Sequence, residues 1–240
     1  MISQLKTSIR RFIIRLLQVL GYDFDKISLE GALDRCRHRH QVNSVIDIGA
    51  SNGMWTKKCL KAYPKAQYLL IDAQQPHEDE LKAFTQKNAN LSYVLTAAGD
   101  RDGEIYFDNS LLLGGLASET PFPQNNIVVP VSKIDTLVEK NKLPPPYLLK
   151  LDTHGYEIPI FNGAKNTLKQ TSLIVVETYN FTVAENSLKF HEMCQYMEDI
   201  GFRCVDICDP LHRLLDRTLW QFDLFFARID DATFSSDKYE

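Results

Sequence analysis

Short apolar runs alternate with longer amphipathic runs along most of this chain, a pattern that predicts strands alternating with helices. Strands are predicted at SVIDIG, QYLLIDA, LSYVLTAAGD, YLLKLDT and SLIVVET. Helices are predicted at MWTKKCLKAY, PHEDELKAFTQKN, YEIPIFNGAKNTLKQ and NSLKFHEMCQYMEDI. Because apolar strands that alternate with helices form parallel sheets covered on both faces, the pattern predicts a doubly wound α/β fold.

Two segments depart from this alternation. After Asp100, GEIYFD and NIVVPVS are predicted strands joined by the Gly-rich connection NSLLLGGLASETPFPQ, and KIDTLVEKN is a predicted helix. Near the end of the chain, FRCVDIC and LWQFDLFFARI are strands whose connection has no room for a crossover helix. Parallel neighbours need such a crossover, so this last pair is expected to be antiparallel.

The first 24 residues form an amphipathic, basic segment. Its apolar residues recur at helical spacing, and it carries Lys6, Arg10, Arg11 and Arg15 with no acidic residue before Asp23. Charges interrupt every apolar run, so the segment is too broken to span a bilayer, and it lacks the cleavage site of a secretory signal. It is expected to pack as a helix on the domain or on a partner subunit, or to lie on an anionic membrane surface.

The chain is therefore divided into an N-terminal amphipathic helical segment at 1–40, one α/β domain at 41–230 and a loose polar tail at 231–240. The net charge of −4 gives no reason to expect a nucleic-acid partner. Five scattered cysteines predict free thiols in a reducing compartment. We expect a cytoplasmic protein, and a location at the inner membrane surface is the alternative. The sequence does not decide whether the chain is a monomer or a homo-oligomer.

Acidic residues follow the predicted strands at the ends where ligands of parallel sheets bind. They are Asp47, Asp72, Asp100, Asp152 and Glu177. The repetition of one residue type at one position of successive strands predicts a polar binding site along that edge of the sheet.

A loop of small residues leaves the first strand directly after its acid. Gly49, Ala50, Asn52 and Gly53 are expected to let a ligand approach the backbone, since glycine has no Cβ. Asp72 follows about 25 residues after Asp47, where an acid accepts hydrogen bonds from ribose hydroxyls. Together these features predict an adenosine-containing cofactor, and a glycine turn beside a solvated acid is the alternative.

The loop favours S-adenosylmethionine over a nicotinamide dinucleotide. Its run GASNG lacks the second glycine of the G-x-G-x-x-G fingerprint, at the place where a pyrophosphate passes. Asp47 would repel a pyrophosphate, whereas it suits the ammonium of an amino-acid cofactor or a water held near it.

Three blocks of the chain resemble the FkbM-type family of S-adenosylmethionine-dependent methyltransferases. They are VIDIGASNG, AAGDRDGEI, and LLKLDTHGYEIPIFNGAKNTL together with LIVVE. In the first block, Ser51 stands where the family usually has Asn. The third block is the most diagnostic, and the resemblance covers about residues 42–229. It implies a class I methyltransferase (Rossmann-like) fold, with a mostly parallel seven-stranded sheet and a terminal antiparallel strand. It also adds Ala97 and Asp100 to the candidate cofactor contacts, and it implies methylation of oxygen, often on sugars or natural products.

Methyl transfer to a hydroxyl needs a group that takes up its proton. Lys150, Asp152 and His154 share one face if YLLKLDT continues as a strand, and they are the candidate catalytic residues. His154 stands where the family commonly has Glu or Gln; it is a candidate base because histidine side chains in general titrate near neutral pH, and an exposed loop histidine is the alternative. Asp152 could contact the acceptor or the cofactor, or it could cap the next helix. The alternative for Lys150 is that its side chain pairs with a neighbouring acid and has no catalytic role. Asp152 and Glu177 are weak candidates for binding Mg²⁺.

The sequence thus predicts an S-adenosylmethionine-dependent methyltransferase acting on a hydroxyl of a saccharide or secondary metabolite. Methylation of a lipid-linked glycan or of nitrogen, a non-catalytic S-adenosylmethionine-binding module and a nicotinamide-dependent oxidoreductase are the alternatives. The LLLGGLAS segment is expected to be a lid or acceptor loop, in which Leu112 and Leu113 exclude water, or a plain hairpin connection.

Overall fold

The computed structural model describes residues 27–185 and 187–239. The amphipathic helix predicted for residues 1–24, and with it most of the N-terminal segment 1–40, lies outside the described residues. From residue 27 onward the chain begins with helix α1 (Leu29–Arg37), which the hydroxyl of Ser28 caps by accepting from the backbone N–H of Gly31.

A seven-stranded sheet forms the centre of the fold. Its strands are β1 (Ser44–Ile48), β2 (Gln67–Asp72), β3 (Leu91–Leu95), β8 (Tyr147–Leu151), β9 (Thr171–Tyr179), β10 (Phe202–His212) and β11 (Leu219–Arg228). Their order across the sheet is β10-β11-β9-β8-β1-β2-β3. β11 runs antiparallel to both β9 and β10, and the other neighbouring pairs are parallel. The prediction of a mostly parallel sheet with an antiparallel last strand is confirmed, and that strand is inserted between β9 and β10.

Helices cover both faces of this sheet and enclose two apolar clusters. In addition to α1 they are α2 (Met54–Ala62), α3 (Glu78–Thr85), α4 (Ile134–Lys140), α5 (Glu157–Asn162), α6 (Lys165–Leu168) and α7 (Phe190–Asp199). One cluster lies under α1, α2 and α3, and the other under α4, α5 and α7. The central strands β1 and β8 are buried along their whole length, as their continuous apolar sequences predict.

The single helix predicted for YEIPIFNGAKNTLKQ is wrong, because the chain forms α5 and α6 with a break at Gly163 and Ala164. A Cβ on Gly163 would lie 1.9 Å from the carbonyl oxygen of Gly99. The two backbones therefore meet at this point, and the contact is compatible only with glycine.

A second sheet is inserted between β3 and β8. It contains β4 (Ala97–Ala98), β5 (Gly103–Asp108), β6 (Leu116–Ser118) and β7 (Asn126–Ser132), in the order β4-β7-β5-β6. The third strand predicted for LSYVLTAAGD ends at Leu95, because the next residues leave the main sheet and pair with β7. The insertion thereby starts at the edge of the main sheet where parallel strands end.

None of the helices in the described part of the chain is both long and apolar enough to cross a membrane. The five cysteines all carry free thiols.

Candidate active site

A cavity of about 320 Å³ opens at the carboxyl ends of β1, β2 and β8, where the switch in strand order predicts a ligand site. Its floor is formed by the loop after β1 and the loop after β8, and its outer wall comes from the second sheet. The lining includes Ile48, Gly49, Ala50, Ser51, Asn52, Asp72, Gln74, His77, Thr96, Ala97, Ala98, Leu112, Leu113, Lys150, Asp152, His154 and Tyr156.

The glycines after β1 are required by contacts within the protein itself. Gly49 and Gly53 both have φ of +75°, and a Cβ on Gly49 would lie 2.1 Å from the backbone oxygen of Asp152. A Cβ on Gly53 would lie 2.8 Å from Cδ1 of Phe84. These contacts account for both glycines without a ligand, and Gly49 also lines the cavity, so the approach of a ligand to its backbone stays a prediction.

Asp72 fixes the shape of the same loop. One of its carboxylate oxygens accepts from the backbone N–H of Ser51 at 2.7 Å, and the other accepts from the backbone N–H of Gln74 at 2.8 Å. A carboxylate has about four lone-pair sites, so Asp72 can still accept from a ligand in the cavity. Asp100, by contrast, does not line the cavity; its half-exposed side chain lies 3.5 Å from Arg101.

Asp47 lies beneath the cavity rather than in it, so a direct contact with the cofactor, as predicted from sequence, does not fit its position. Its side chain is fully buried, accepts from the hydroxyl of Thr56 at 2.6 Å and lies 3.2 Å from Nζ of Lys150. Burial raises the pKa of Asp47, while the ammonium of Lys150 and the hydroxyl of Thr56 act against that rise.

Lys150 connects three parts of the site through one ammonium group. Its Nζ lies 3.2 Å from Asp47, donates to the carbonyl oxygen of Gly49 at 3.0 Å and donates to Asp152 at 3.2 Å. Burial acts to lower the pKa of Lys150, but the carboxylates of Asp152 and Asp47 outweigh it and the net shift is upward. The side chain is only 5% exposed and keeps its proton, so it is placed to hold the site together.

The loop after β8 differs in conformation from the sequence prediction. The strand ends at Leu151, and His154 has φ of +52°, so strand alternation is not what brings Lys150, Asp152 and His154 together. Glu157 holds this turn by accepting from the backbone N–H of Gly155 at 2.9 Å and from the hydroxyl of Thr153 at 3.0 Å. Glu157 was not predicted as a site residue, although it belongs to the diagnostic sequence block.

Asp152, His154 and Glu177 meet at one point beside the cavity. Nε2 of His154 lies 3.8 Å from Oδ1 of Asp152 and 3.8 Å from Oε2 of Glu177, and one ligand atom of each residue lies within 4.8 Å of the others. The geometry thus groups the candidate base with both candidate magnesium ligands.

The two carboxyl groups of this cluster have opposite pKa shifts. Burial raises the pKa of Glu177, and the negative charge of Asp152 adds to it, so that the value reaches about 8. Burial also acts to raise the pKa of Asp152, but Lys150 and a hydrogen bond from Glu177 outweigh it and lower the pKa. At neutral pH Asp152 is therefore ionised and Glu177 carries a proton.

Two further residues hold Glu177, and neither was predicted from sequence. The hydroxyl of Tyr179 and the side-chain amide of Gln221 both donate to its carboxylate. Tyr179 follows Glu177 by two residues on β9, so strand alternation could have indicated it. Gln221 lies on β11 opposite Tyr179, a pairing that only the antiparallel register defines.

The outer wall of the cavity includes the LLLGGLAS segment, which also connects β5 to β6, and its role as a lid stays a prediction. The carbonyl oxygen of Leu112 lies 2.9 Å from Nε2 of His77 and accepts from the amide of Gln74 at 2.9 Å. Leu112 and Leu113 are exposed on their outer side and line the cavity on their inner side.

Residues 47–204 match the family described as Methyltransferase FkbM domain, and this match covers more than half of the chain. The chain belongs to the FkbM methyltransferase family. The resemblance carried by the three sequence blocks is thereby confirmed, as is the class I methyltransferase fold.

Two proteins similar to this chain are methyltransferases. The hexuronic acid methyltransferase AglP of Haloferax volcanii is 24% identical over 140 residues, which are 55% of this chain and 54% of AglP. The crystal structure of methyltransferase FkbM from Methylobacillus flagellatus superposes with a TM-score of 0.53 at 15% identity, over 77% of this chain and 43% of that one. The chain therefore spans about half the length of each of these relatives.

A third protein shares the fold. The 1,6-didemethyltoxoflavin-N1-methyltransferase of Burkholderia thailandensis, crystallised with S-adenosylhomocysteine, superposes with a TM-score of 0.50 at 12% identity, over 95% of this chain and 89% of that one. Membership of the FkbM family supports S-adenosylmethionine as the methyl donor, and the comparisons give no support to a magnesium ion.

The first prediction concerns the contact between Gly49 and the loop after β8. We expect Gly49→Ala to lose more stability than Gly201→Ala. Both glycines have positive φ, which costs an alanine about 1–2 kcal/mol, but a Cβ at Gly201 meets no atom within 4 Å. Thermal unfolding of the two variants without ligand measures the difference, and equal losses would contradict the backbone contact with Asp152.

The second prediction concerns the proton on Glu177. A glutamate in the unfolded chain has a pKa of about 4.3, so between that pH and about 8 the folded protein holds a proton that the unfolded chain has released. Stability should therefore fall as the pH rises through this window. We expect the melting temperature of Glu177→Gln, relative to the parent protein, to increase from pH 5 to pH 8. Glu198→Gln, at an exposed position of α7, is the control, and parallel curves for parent and Glu177→Gln would contradict the assignment.

Proposed function

We propose that this chain transfers a methyl group from S-adenosylmethionine to a hydroxyl oxygen of a saccharide. The observation that carries the proposal is the position of His154, whose Nε2 lies between Asp152 and Glu177 at the cavity that the FkbM domain encloses. An imidazole beside the ionised carboxylate of Asp152 is suited to accept a proton from an acceptor hydroxyl and to be stabilised once it is charged.

The cavity fits the proposed methyl donor. Small residues line the part beside β1 and β4, and Asp72 offers a carboxylate oxygen at the end of β2, where ribose hydroxyls are bound in this class of sheet. Asp152, ionised and one-third exposed, is placed to attract the ammonium of an amino-acid ligand. The donor, when bound, supplies a methyl group on a sulfonium, whose thioether is a good leaving group.

The residues of the chain would orient the reactants and take up the proton. Lys150 would hold Asp152 and the loop after β1 in fixed positions, and Glu157 would hold the turn that carries His154. His154 would remove the proton from the acceptor hydroxyl as the oxygen attacks the methyl carbon in line with the departing sulfur. Leu112 and Leu113 would exclude water from the cavity during transfer.

The similarity to AglP favours a saccharide as the acceptor. AglP is described as a hexuronic acid methyltransferase, and it is similar to this chain over about half of its length. The proposal is tested by incubating the protein with S-adenosylmethionine labelled in its methyl group and a set of neutral sugars, uronic acids and amines. Label on sugar oxygen is the expected result, whereas label confined to amines would replace this function with nitrogen methylation.

Donor binding is tested at Asp72. We expect Asp72→Asn to weaken the binding of S-adenosylhomocysteine by about 1.5–3 kcal/mol, the usual loss when a hydrogen bond to a charged group is removed. Calorimetry measures the affinity, and Asp100→Asn is the matched control because Asp100 does not line the cavity. Equal affinities of the parent and Asp72→Asn, with both proteins folded, would show that Asp72 does not bind the ribose.

Proton removal is tested at His154. We expect His154→Ala to lower turnover about 100-fold or more while the affinity for S-adenosylhomocysteine stays within about twofold, because a general base acts only on the chemical step. His191→Ala, at an exposed position of α7, should leave both values unchanged. The assay is repeated with a chelator and with added Mg²⁺. Turnover that depends on the metal, or that His154→Ala leaves intact, would contradict the role of His154 as the base.

A further inference from the structure

The β10–β11 hairpin ends in a turn that projects two leucines into water. Leu214 is 91% exposed and Leu215 is 84% exposed, and Leu211, the penultimate residue of β10, is also exposed. Large apolar side chains exposed next to one another are uncommon on soluble domains and indicate a contact with another surface.

The turn that carries these leucines is well ordered. The backbone N–H of Arg213 donates to the carbonyl oxygen of Thr218 at 2.9 Å, and the guanidinium of Arg213 donates to Asp216 at 2.7 Å. Asp216 also accepts from the backbone N–H of Thr218 at 3.0 Å. The same guanidinium lies over the ring of Phe181, 4.4 Å from its centroid. These contacts fix the two ends of the turn, and the side chains of the two leucines extend outward from it.

The turn lies at the same edge of the main sheet as the candidate active site. β11 is antiparallel to β9, and Gln221 of β11 pairs with Tyr179 at the carboxyl end of β9. Residues 213–218 therefore extend beyond that end. The exposed residues Leu112 and Leu113 lie in the outer wall of the cavity, at this same edge.

The first residues that the structure describes lie beside this hairpin. The backbone N–H of Leu29 donates to Asp209 of β10 at 3.1 Å, and Arg35 of α1 pairs with Asp206 of β10 at 2.7 Å. Helix α1 therefore runs along β10 with its first residue toward the turn. The 26 residues that precede Ile27 carry Lys6, Arg10, Arg11 and Arg15, and their apolar residues recur at helical spacing.

We propose that the turn at residues 213–218 binds the surface of an anionic lipid bilayer, with the active-site edge of the sheet facing the membrane. Leucines held at the tip of a narrow turn can enter the boundary of the acyl chains, and the basic residues complement anionic headgroups. A second copy of the chain is a poorer partner, because a stable interface buries about 800 Å² on each side and a turn of this size offers far less.

Sedimentation of the full chain with lipid vesicles tests this surface without donor or acceptor, so the result is independent of the proposed methyl transfer. We expect binding to vesicles of phosphatidylcholine with phosphatidylglycerol and little binding to phosphatidylcholine alone. Leu214→Asp/Leu215→Asp should reduce the bound fraction about tenfold or more, and Arg10→Glu/Arg11→Glu should also reduce it. Ile229→Asp is the matched control, because Ile229 is exposed and follows β11 at the opposite edge of the sheet.

Three outcomes would overturn the proposal. The parent protein fails to bind the anionic vesicles, or the double leucine variant binds them as well as the parent does. The third is a dimer in light scattering that Leu214→Asp/Leu215→Asp dissociates without any vesicle binding, which would assign the turn to a second copy of the chain. Leu214→Ser/Leu215→Ser, checked by circular dichroism, replaces the aspartate variant if that variant does not fold.

Discussion

The ammonium of Lys150 is the interaction on which the rest of the site depends. It lies within about hydrogen-bonding distance of Asp47 on β1, the carbonyl of Gly49 in the loop after β1, and Asp152 in the loop after β8. Breaking a buried ion pair by removing one partner leaves an uncompensated charge, at a typical cost of about 3–5 kcal/mol. Lys150 therefore sets the spacing between the loop after β1 and the loop after β8, and the close backbone contact between Gly49 and Asp152 sets the same spacing.

One lysine does not balance the charges of the carboxyl groups around it. The ammonium of Lys150 keeps Asp152 ionised, while Glu177 and Asp223, which lies on β11, have raised pKa values of about 8 and about 6, chiefly because they are buried. A proton is therefore held close to His154 at neutral pH. Environments that push the pKa values of neighbouring acids apart are typical of sites that move protons.

The inserted sheet and the β10–β11 hairpin add side chains at the carboxyl edge of the main sheet. The insertion lines the cavity with Leu112 and Leu113, and Gln74 and His77 after β2 contact the backbone of that wall. The hairpin supplies Gln221 to the cluster of Asp152, His154 and Glu177 and carries the exposed turn at its tip. The cavity wall, the cluster and the exposed turn thus lie at one edge of the sheet.

The sequence by itself determined the parallel sheet, the antiparallel last strand and the residues gathered at the strand ends, because strand length, apolar runs and connection length are local properties. It also identified the FkbM family through its motifs. The tertiary structure alone decided that Asp47 is buried under Lys150, that Asp100 lies off the cavity, and that Gln221 reaches Glu177. These facts depend on which distant segments meet: the glycine at position 49 is fixed by a carbonyl more than 100 residues away, and no local pattern records such a contact.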